Sequence, residues 1–212
     1  MVYIEKNKNI PEIFSDAKRK YKNYDGLLGN DKNKIKEILL SEQGHICAYC
    51  MSRISMDNST IEHYIPRNGK NGDASLSLDY RNLFAVCTNG RDDKSKERHC
   101  DVSKDDKLIS VNPCKREDVE KIKYTHNGEI TSDDENINYD LNITLNLNNT
   151  TLKNNRKVAL DETIKRMSKH KTGNWSKTYL EQEIVKHMSK DVKTPYVGII
   201  LYMLKKRLKH DT

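Results

Sequence analysis

Four of the five cysteines in this 212-residue chain lie between residues 47 and 100. Cys47 and Cys50 form a pair with two residues between them, and Cys87 and Cys100 follow separately. The first residues show no secretory signal, so we expect a cytoplasmic, reducing compartment in which disulfides are disfavoured. Four thiolates in a segment with few apolar residues match a tetrahedral structural zinc site. Zinc binding, worth roughly 10–16 kcal/mol, would replace a large hydrophobic core.

Other interpretations of these cysteines stay open. The pair alone also fits a redox site, although no strand of a βαβ unit precedes it. The second half is irregular, because the charged loop Thr88–His99 separates Cys87 from Cys100. His99 is therefore an alternative fourth ligand. Cys114 lies outside the cluster and is expected to be an ordinary reduced thiol.

The composition predicts one domain, or a small core with a helical appendage. Hydrophobic residues make up 35% of the chain and the mean hydropathy is −0.89, so the core should be thin. The longest apolar run, Val197–Leu204, is far shorter than the ~20 residues that cross a bilayer, so we expect no membrane partner. A formal net charge of +7 favours an anionic partner such as nucleic acid, but it equally suits a well-solvated surface.

The apolar pattern divides the chain into three regions. Residues 1–44 are expected to be helical, residues 45–106 to form the small metal-stabilised domain, and residues 107–212 to be mainly helical. Asn127 and Gly128, between short apolar runs, predict a hairpin near residues 122–130. The fold class is therefore α+β.

Three smaller expectations concern residues outside the cysteines. The acidic, polar stretch 131–137 should form a loop. The basic cluster 94–98 either contacts phosphates or is a solvated loop. Trp175, the only tryptophan, should be a packing anchor rather than a platform for base stacking.

A second set of residues is interleaved with the cysteines in a fixed order. Glu62 and His63 follow the first pair, and Asn82 precedes Cys87. Asp101 and Lys104 come directly after Cys100. In this order, residues 45–106 resemble the HNH endonucleases, the ββα-metal nuclease family, and its subset with a four-cysteine zinc knuckle.

The resemblance implies a ββα-metal core that is stabilised by zinc and flanked by helices. It also implies hydrolysis of nucleic-acid phosphodiester bonds. His63 would be the general base, because imidazole titrates nearest neutral pH. Glu62 and Asp101 would hold a catalytic Mg²⁺ or Mn²⁺ through carboxylate oxygens. Asn82 would brace the loop that carries the base. The expected phosphate contacts are Arg67, Arg81 and Lys104.

The chain departs from the family pattern at two metal positions. Glu62 stands where the family usually has Asp, and Asp101 where it usually has His or Asn. More narrowly, the motifs resemble the HNH subunit of Septu and retron-associated anti-phage systems, which implies an ABC-type ATPase partner. The main alternative is a non-catalytic zinc module that binds nucleic acid or a partner protein. The choice between DNA and RNA stays open.

Overall fold

Two helices form the N-terminal region. In the computed structural model, which describes residues 1–89, 97–170, 175–189 and 191–210, α1 covers Glu12–Lys20 and α2 covers Gly29–Glu42. Helix α1 begins after Pro11 and has its basic residues in the last turn, where cations complement the helix dipole. The two helices pack together with Phe14 and Leu39 fully buried between the elements.

An antiparallel pair of strands follows. Strand β1 (Ser59–His63) pairs with β2 (Leu83–Cys87), so that Ser59 lies opposite Cys87 and His63 opposite Leu83. All five residues of β2 are buried, which explains its continuous apolar sequence. The one-turn helix α3 (Asp101–Lys104) comes next in the described chain. Strands and helices thus occur together, and the expected α+β class is confirmed.

Gln43 joins α2 to the sheet through its side-chain amide. The amide nitrogen donates to the carbonyl oxygen of Ala85 at 2.7 Å, and the amide oxygen accepts from the Ala85 N–H at 2.8 Å. Gln43 is 2% exposed, so these bonds satisfy backbone groups of β2 that have no access to water. The helix end and the strand are therefore held in a fixed relation.

The C-terminal region contains the expected hairpin, because β3 pairs with β4 around the turn at Gly128, whose φ is +84°. The expectation of a loop over 131–137 is wrong. The stretch overlaps both β4 and α5, and Asp134 caps α5 by accepting from the Ile137 N–H. The elements are β3 (Ile122–Tyr124), β4 (Ile130–Ser132) and helices α4 (Arg116–Glu120), α5 (Glu135–Tyr139), α6 (Thr150–His170), α7 (Lys177–Met188) and α8 (Val197–His210).

Helix α8 is the centre of the C-terminal packing. It contacts α7, α6 and β3, and Val197 and Ile200 are fully buried. Trp175 is 6% exposed before α7, which confirms it as a packing residue. Among the residues described, no helix is both long and apolar enough to pass through a membrane. The division into three domains stays a prediction.

Candidate metal centre and catalytic site

The four expected cysteines meet at one point. Their Sγ atoms all lie within 4.8 Å of one another, and all four residues are buried. The closer pairs are 3.6 Å (Cys50 to Cys87) and 3.8 Å (Cys47 to Cys100, and Cys87 to Cys100). A disulfide needs about 2.05 Å, whereas a tetrahedral ion with Zn–S bonds of about 2.3 Å places its sulfurs about 3.8 Å apart. The cluster can therefore hold a metal ion such as zinc.

A tight turn presents the first two sulfurs. The N–H of Met51 donates to the carbonyl of Cys47, and the N–H of Cys47 donates to the carbonyl of Ser52. Met51 has a φ of +64°, a left-handed conformation that closes the turn between the ligands. An isolated bridge between Ile46 and Arg53 holds its base.

The other two sulfurs come from distant parts of the chain. Cys87 ends β2, and the backbone N–H of Cys100 donates to the carbonyl of Leu145 at 3.0 Å. His99 lies beside the cluster, with Nε2 3.7 Å from Cys87 Sγ, while Cys100 supplies the fourth sulfur. Burial opposes ionisation of Cys50, but hydrogen bonds from the other three cysteines outweigh it and lower its pKa well below 9.0.

The imidazole of His63 is held in one orientation at the end of β1. Its Nε2 lies 2.9 Å from the carbonyl oxygen of Ser77. A carbonyl oxygen only accepts, so Nε2 carries the hydrogen and Nδ1 carries the lone pair. Burial, together with the charges of Arg67 and Lys104, lowers the pKa of His63 to about 4 even though the Ser77 bond opposes this. The ring is therefore a neutral base at neutral pH.

The N-terminal region contributes an aromatic wall to this histidine. The ring of Tyr24 packs edge-on against His63, with centroids 4.7 Å apart and an interplanar angle of 87°. Two cations cover the same tyrosine: Lys32 Nζ and the Arg67 guanidinium lie 4.7 Å and 4.9 Å from its centroid. Arg67 also pairs with Asp25 at 2.5 Å. Cations therefore lie on the Tyr24 side of the candidate base, with Asp25 offsetting part of their charge.

Glu62 lies beside His63 and has charged and hydroxyl partners. Lys104 Nζ is 2.8 Å from Glu62 Oε1, and the Tyr49 hydroxyl donates to the same oxygen at 3.3 Å. Burial raises the pKa of Glu62 despite the opposing charge of Lys104, and the negative charge of Asp101 adds to the rise. The fold therefore brings the two expected carboxylates into one electrostatic environment.

Lys104 is buried, unlike the exposed lysines that usually contact phosphate. It is 1% exposed, and its ammonium group also donates to the carbonyl of His63 at 3.0 Å. Lys104 thus ties α3 to the end of β1. Its expected phosphate contact stays a prediction, as does that of Arg81, whose side chain is exposed on the turn before β2.

Asn82 makes the contacts of a loop brace. Its Oδ1 accepts from the Ile65 N–H at 2.7 Å, and its Nδ2 donates to the carbonyls of Ile65 at 3.0 Å and Leu76 at 3.2 Å. These bonds hold both sides of the chain segment after His63. The basic cluster 94–98 lies largely outside the described residues, which exclude 90–96.

Sequence reasoning missed three contacts of the site. Tyr24, Tyr49 and the Ser77 carbonyl touch His63 or Glu62 directly, yet none was predicted as a site residue. Tyr49 had the one available signal, its position between two metal-ligand cysteines. Tyr24 and Ser77 reach the site through tertiary packing and had no local signal.

No known protein-family model matches the chain. The chain is similar to a Vibrio cholerae serotype O1 biovar El Tor protein named "Retron Vc95 putative HNH endonuclease", with 28% identity over 82 residues. The similarity covers 39% of this chain and 38% of that protein.

Proposed function

We propose that this protein is a metal-dependent HNH endonuclease that hydrolyses nucleic-acid phosphodiester bonds. One observation carries the proposal: a neutral histidine, oriented by the Ser77 carbonyl, lies close to the cations Arg67 and Lys104, while its neighbour Glu62 shares an electrostatic environment with Asp101. The order of β1, β2 and α3 supports assignment to the ββα-metal class. The partial similarity to a named HNH protein agrees with it.

The proposed chemistry divides among four side chains. His63 Nδ1 takes the proton of the attacking water, because Nε2 is committed to Ser77. Glu62 and Asp101 would hold Mg²⁺ or Mn²⁺, since carboxylate oxygens suit hard cations. When bound, the ion supplies positive charge at the scissile phosphate. Arg67 adds charge beside the base, where a phosphate would lie.

The cysteine cluster is proposed to hold structural zinc. Four sulfur ligands leave no open position for substrate, which is typical of structural rather than catalytic sites. The ion would fix the end of β2 relative to the turn that carries Cys47 and Cys50. It would also fix β2 relative to α3, which begins at Asp101. Zinc thus supports the site without taking part in hydrolysis.

We further propose a biological context of anti-phage defence. The Vibrio cholerae relative is named as a retron protein. The motif resemblance is the basis for two further parts of this proposal: a Septu-like organisation with an ABC-type ATPase partner, and a cytoplasmic location.

The test is cleavage of plasmid DNA and of single-stranded RNA with Mg²⁺ or Mn²⁺. His63→Ala should reduce the cleavage rate by about 10²–10⁴-fold, the usual contribution of a general base. Tyr139→Ala is the control, because this exposed ring lies on α5, outside the proposed site. Both variants should stay folded and keep wild-type zinc content, with some loss of thermal stability in His63→Ala because it removes a buried, hydrogen-bonded ring. Equal cleavage by wild type and His63→Ala would refute His63 as the base.

A binding measurement covers the case in which the isolated chain is inactive. Manganese binding is followed by electron paramagnetic resonance in wild type and in the double variant Glu62→Gln, Asp101→Asn. Loss of one Mn²⁺ site in the double variant supports the nuclease proposal. Absence of that site in wild type, with salt-dependent nucleic-acid binding and no cleavage, favours the non-catalytic zinc module.

A further inference from the structure

A second cavity lies in the C-terminal region, built from elements that the proposed nuclease site does not use. It has a volume of about 250 Å³. Helices α6 and α8 supply most of its walls, and Trp175 closes one side. Among the described residues its lining is mainly apolar (Leu160, Ile164, Met167, Ile200, Met203 and Leu204), with Thr163 and His126 also on the wall. A cavity of about 150 Å³ is enough for benzene, so this one holds a body of two fused rings.

One wall of the cavity carries an unsatisfied donor. Trp175 is 6% exposed, and its Nε1–H group is shielded from solvent and has no hydrogen-bond partner among the residues that the structure describes. An unpaired buried donor costs about 1–3 kcal/mol, and native proteins usually satisfy such groups. An acceptor on a bound molecule would satisfy this one.

The rim of the cavity is positively charged. Lys206 and Arg207 line it and are exposed, and the Arg207 guanidinium lies 4.4 Å from the Trp175 ring centroid. A molecule with an apolar part inside the cavity and an anionic group at the rim would contact both the apolar walls and the two cations. A neutral apolar molecule would gain nothing from the rim, and a fully polar molecule would lose hydration against the aliphatic walls.

We propose that this cavity binds a small amphipathic organic anion: an apolar, ring-sized body with a hydrogen-bond acceptor and one carboxylate, sulfonate or phosphate group. The body lies between α6 and α8, the acceptor takes the Trp175 N–H, and the anion meets Lys206 and Arg207. The site is independent of the nuclease proposal.

The probe is 1-anilinonaphthalene-8-sulfonate, which has an apolar ring system and one sulfonate. Trp175 is the chain's single tryptophan, so energy transfer from tryptophan to the probe reports binding near this cavity. N-phenyl-1-naphthylamine has the same rings without the sulfonate and is the matched neutral probe. We expect saturable energy transfer at one equivalent and about fivefold tighter binding of the anionic probe, as weak surface charge contacts allow.

Two variants on α6 locate the binding. Ile164→Phe fills the cavity and should weaken probe binding about tenfold or more, whereas Val158→Phe, at an exposed position outside the cavity, should not. Met203→Phe fills the same space from α8 and replaces Ile164→Phe if that variant does not fold. The double variant Lys206→Gln, Arg207→Gln should abolish the preference for the anionic probe.

Three results would overturn the proposal. They are absence of energy transfer from Trp175, equal binding by the filled variant and Val158→Phe, and equal affinity of wild type for the two probes. His63→Ala should bind the probe as wild type does, so failure of the nuclease proposal and failure of this one are separable.

Discussion

At the scale of single residues, the proposed site depends on side chains that orient other groups. His63 is fixed by the Ser77 carbonyl, and Lys104 joins the His63 carbonyl to Glu62. Asn82 makes three hydrogen bonds to the backbone around the segment that follows the histidine. Asn82 thus sets the geometry of this segment, so its loss should alter the segment's dynamics and the activity together.

Asn82→Ala should destabilise the protein by about 2 kcal/mol, because it leaves buried backbone groups without partners. It should also speed hydrogen exchange at the Ile65 amide, which donates to Asn82 Oδ1, and lower kcat in the cleavage assay. Exchange is followed by NMR and stability by urea unfolding. The control is Asn155→Ala, which removes one exposed bond to Tyr196 and should change stability by less than about 0.5 kcal/mol. Unchanged exchange at Ile65 would contradict the bracing role.

At the scale of elements, the cysteine cluster adds to a buried core around β1 and β2 in which Tyr49, Phe84 and Val86 are fully buried, so the expectation that zinc would replace a large core is corrected. These strands are short, and a two-stranded hairpin is marginally stable alone. The cluster ties the end of β2 to the first turn and to α3. Metal removal should therefore loosen this segment.

Wild type should contain one zinc per chain by atomic absorption, and Cys87→Ser should lose most of it. Because structural zinc contributes folding free energy, Cys87→Ser should also lower Tm strongly. Cys114→Ser is the matched control. This fifth cysteine lies outside the cluster, so the variant protein should keep its zinc. His99→Ala should keep it as well, because Cys100 completes the four sulfurs. Less than half an equivalent of zinc in wild type would count against the site.

At the scale of the whole molecule, Arg156 crosslinks the C-terminal region and is electrostatically coupled to Cys50 and Cys100 of the metal cluster. It is fully buried, and its guanidinium donates to the carbonyls of Gly128 at 2.6 Å and Leu147 at 2.7 Å. Burial lowers the pKa of Arg156, while the charges of Tyr124 and Cys50 oppose this. Four thiolates around Zn²⁺ carry a net charge of about −2 by simple addition, and a nearby buried cation offsets part of it.

Arg156→Met should destabilise the protein by about 3 kcal/mol, since it removes several buried hydrogen bonds at once. It should also weaken zinc retention against a chelator, because the offsetting charge is lost. Urea unfolding and chelator competition measure the two effects. Lys157→Met on the same helix removes only an exposed ion pair with Asp161 and should have little effect. Equal zinc retention in both variants would show that Arg156 does not stabilise zinc binding by the cluster.

Prediction from sequence succeeded where the signal was local or carried by distinctive chemistry. The Asn127–Gly128 turn predicted its hairpin, and clustered thiols predicted one site although Cys87 and Cys100 are irregularly spaced. It failed over 131–137, where polar residues cap and begin α5 rather than form a loop. Acidic side chains at a helix start resemble a loop when only composition is considered.

The sequence alone predicted that four cysteines would form one metal site and that Glu62 and His63, which lie between them in the chain, would be near it. The reason is chemical: clustered cysteines in a reducing compartment usually bind a metal ion. Only the tertiary structure decided the tautomer of His63, the packing of Tyr24 against it and the burial of Lys104. It also decided the cavity beside Trp175. These features depend on contacts between residues far apart in the chain, and such contacts are set by how the helices and strands pack.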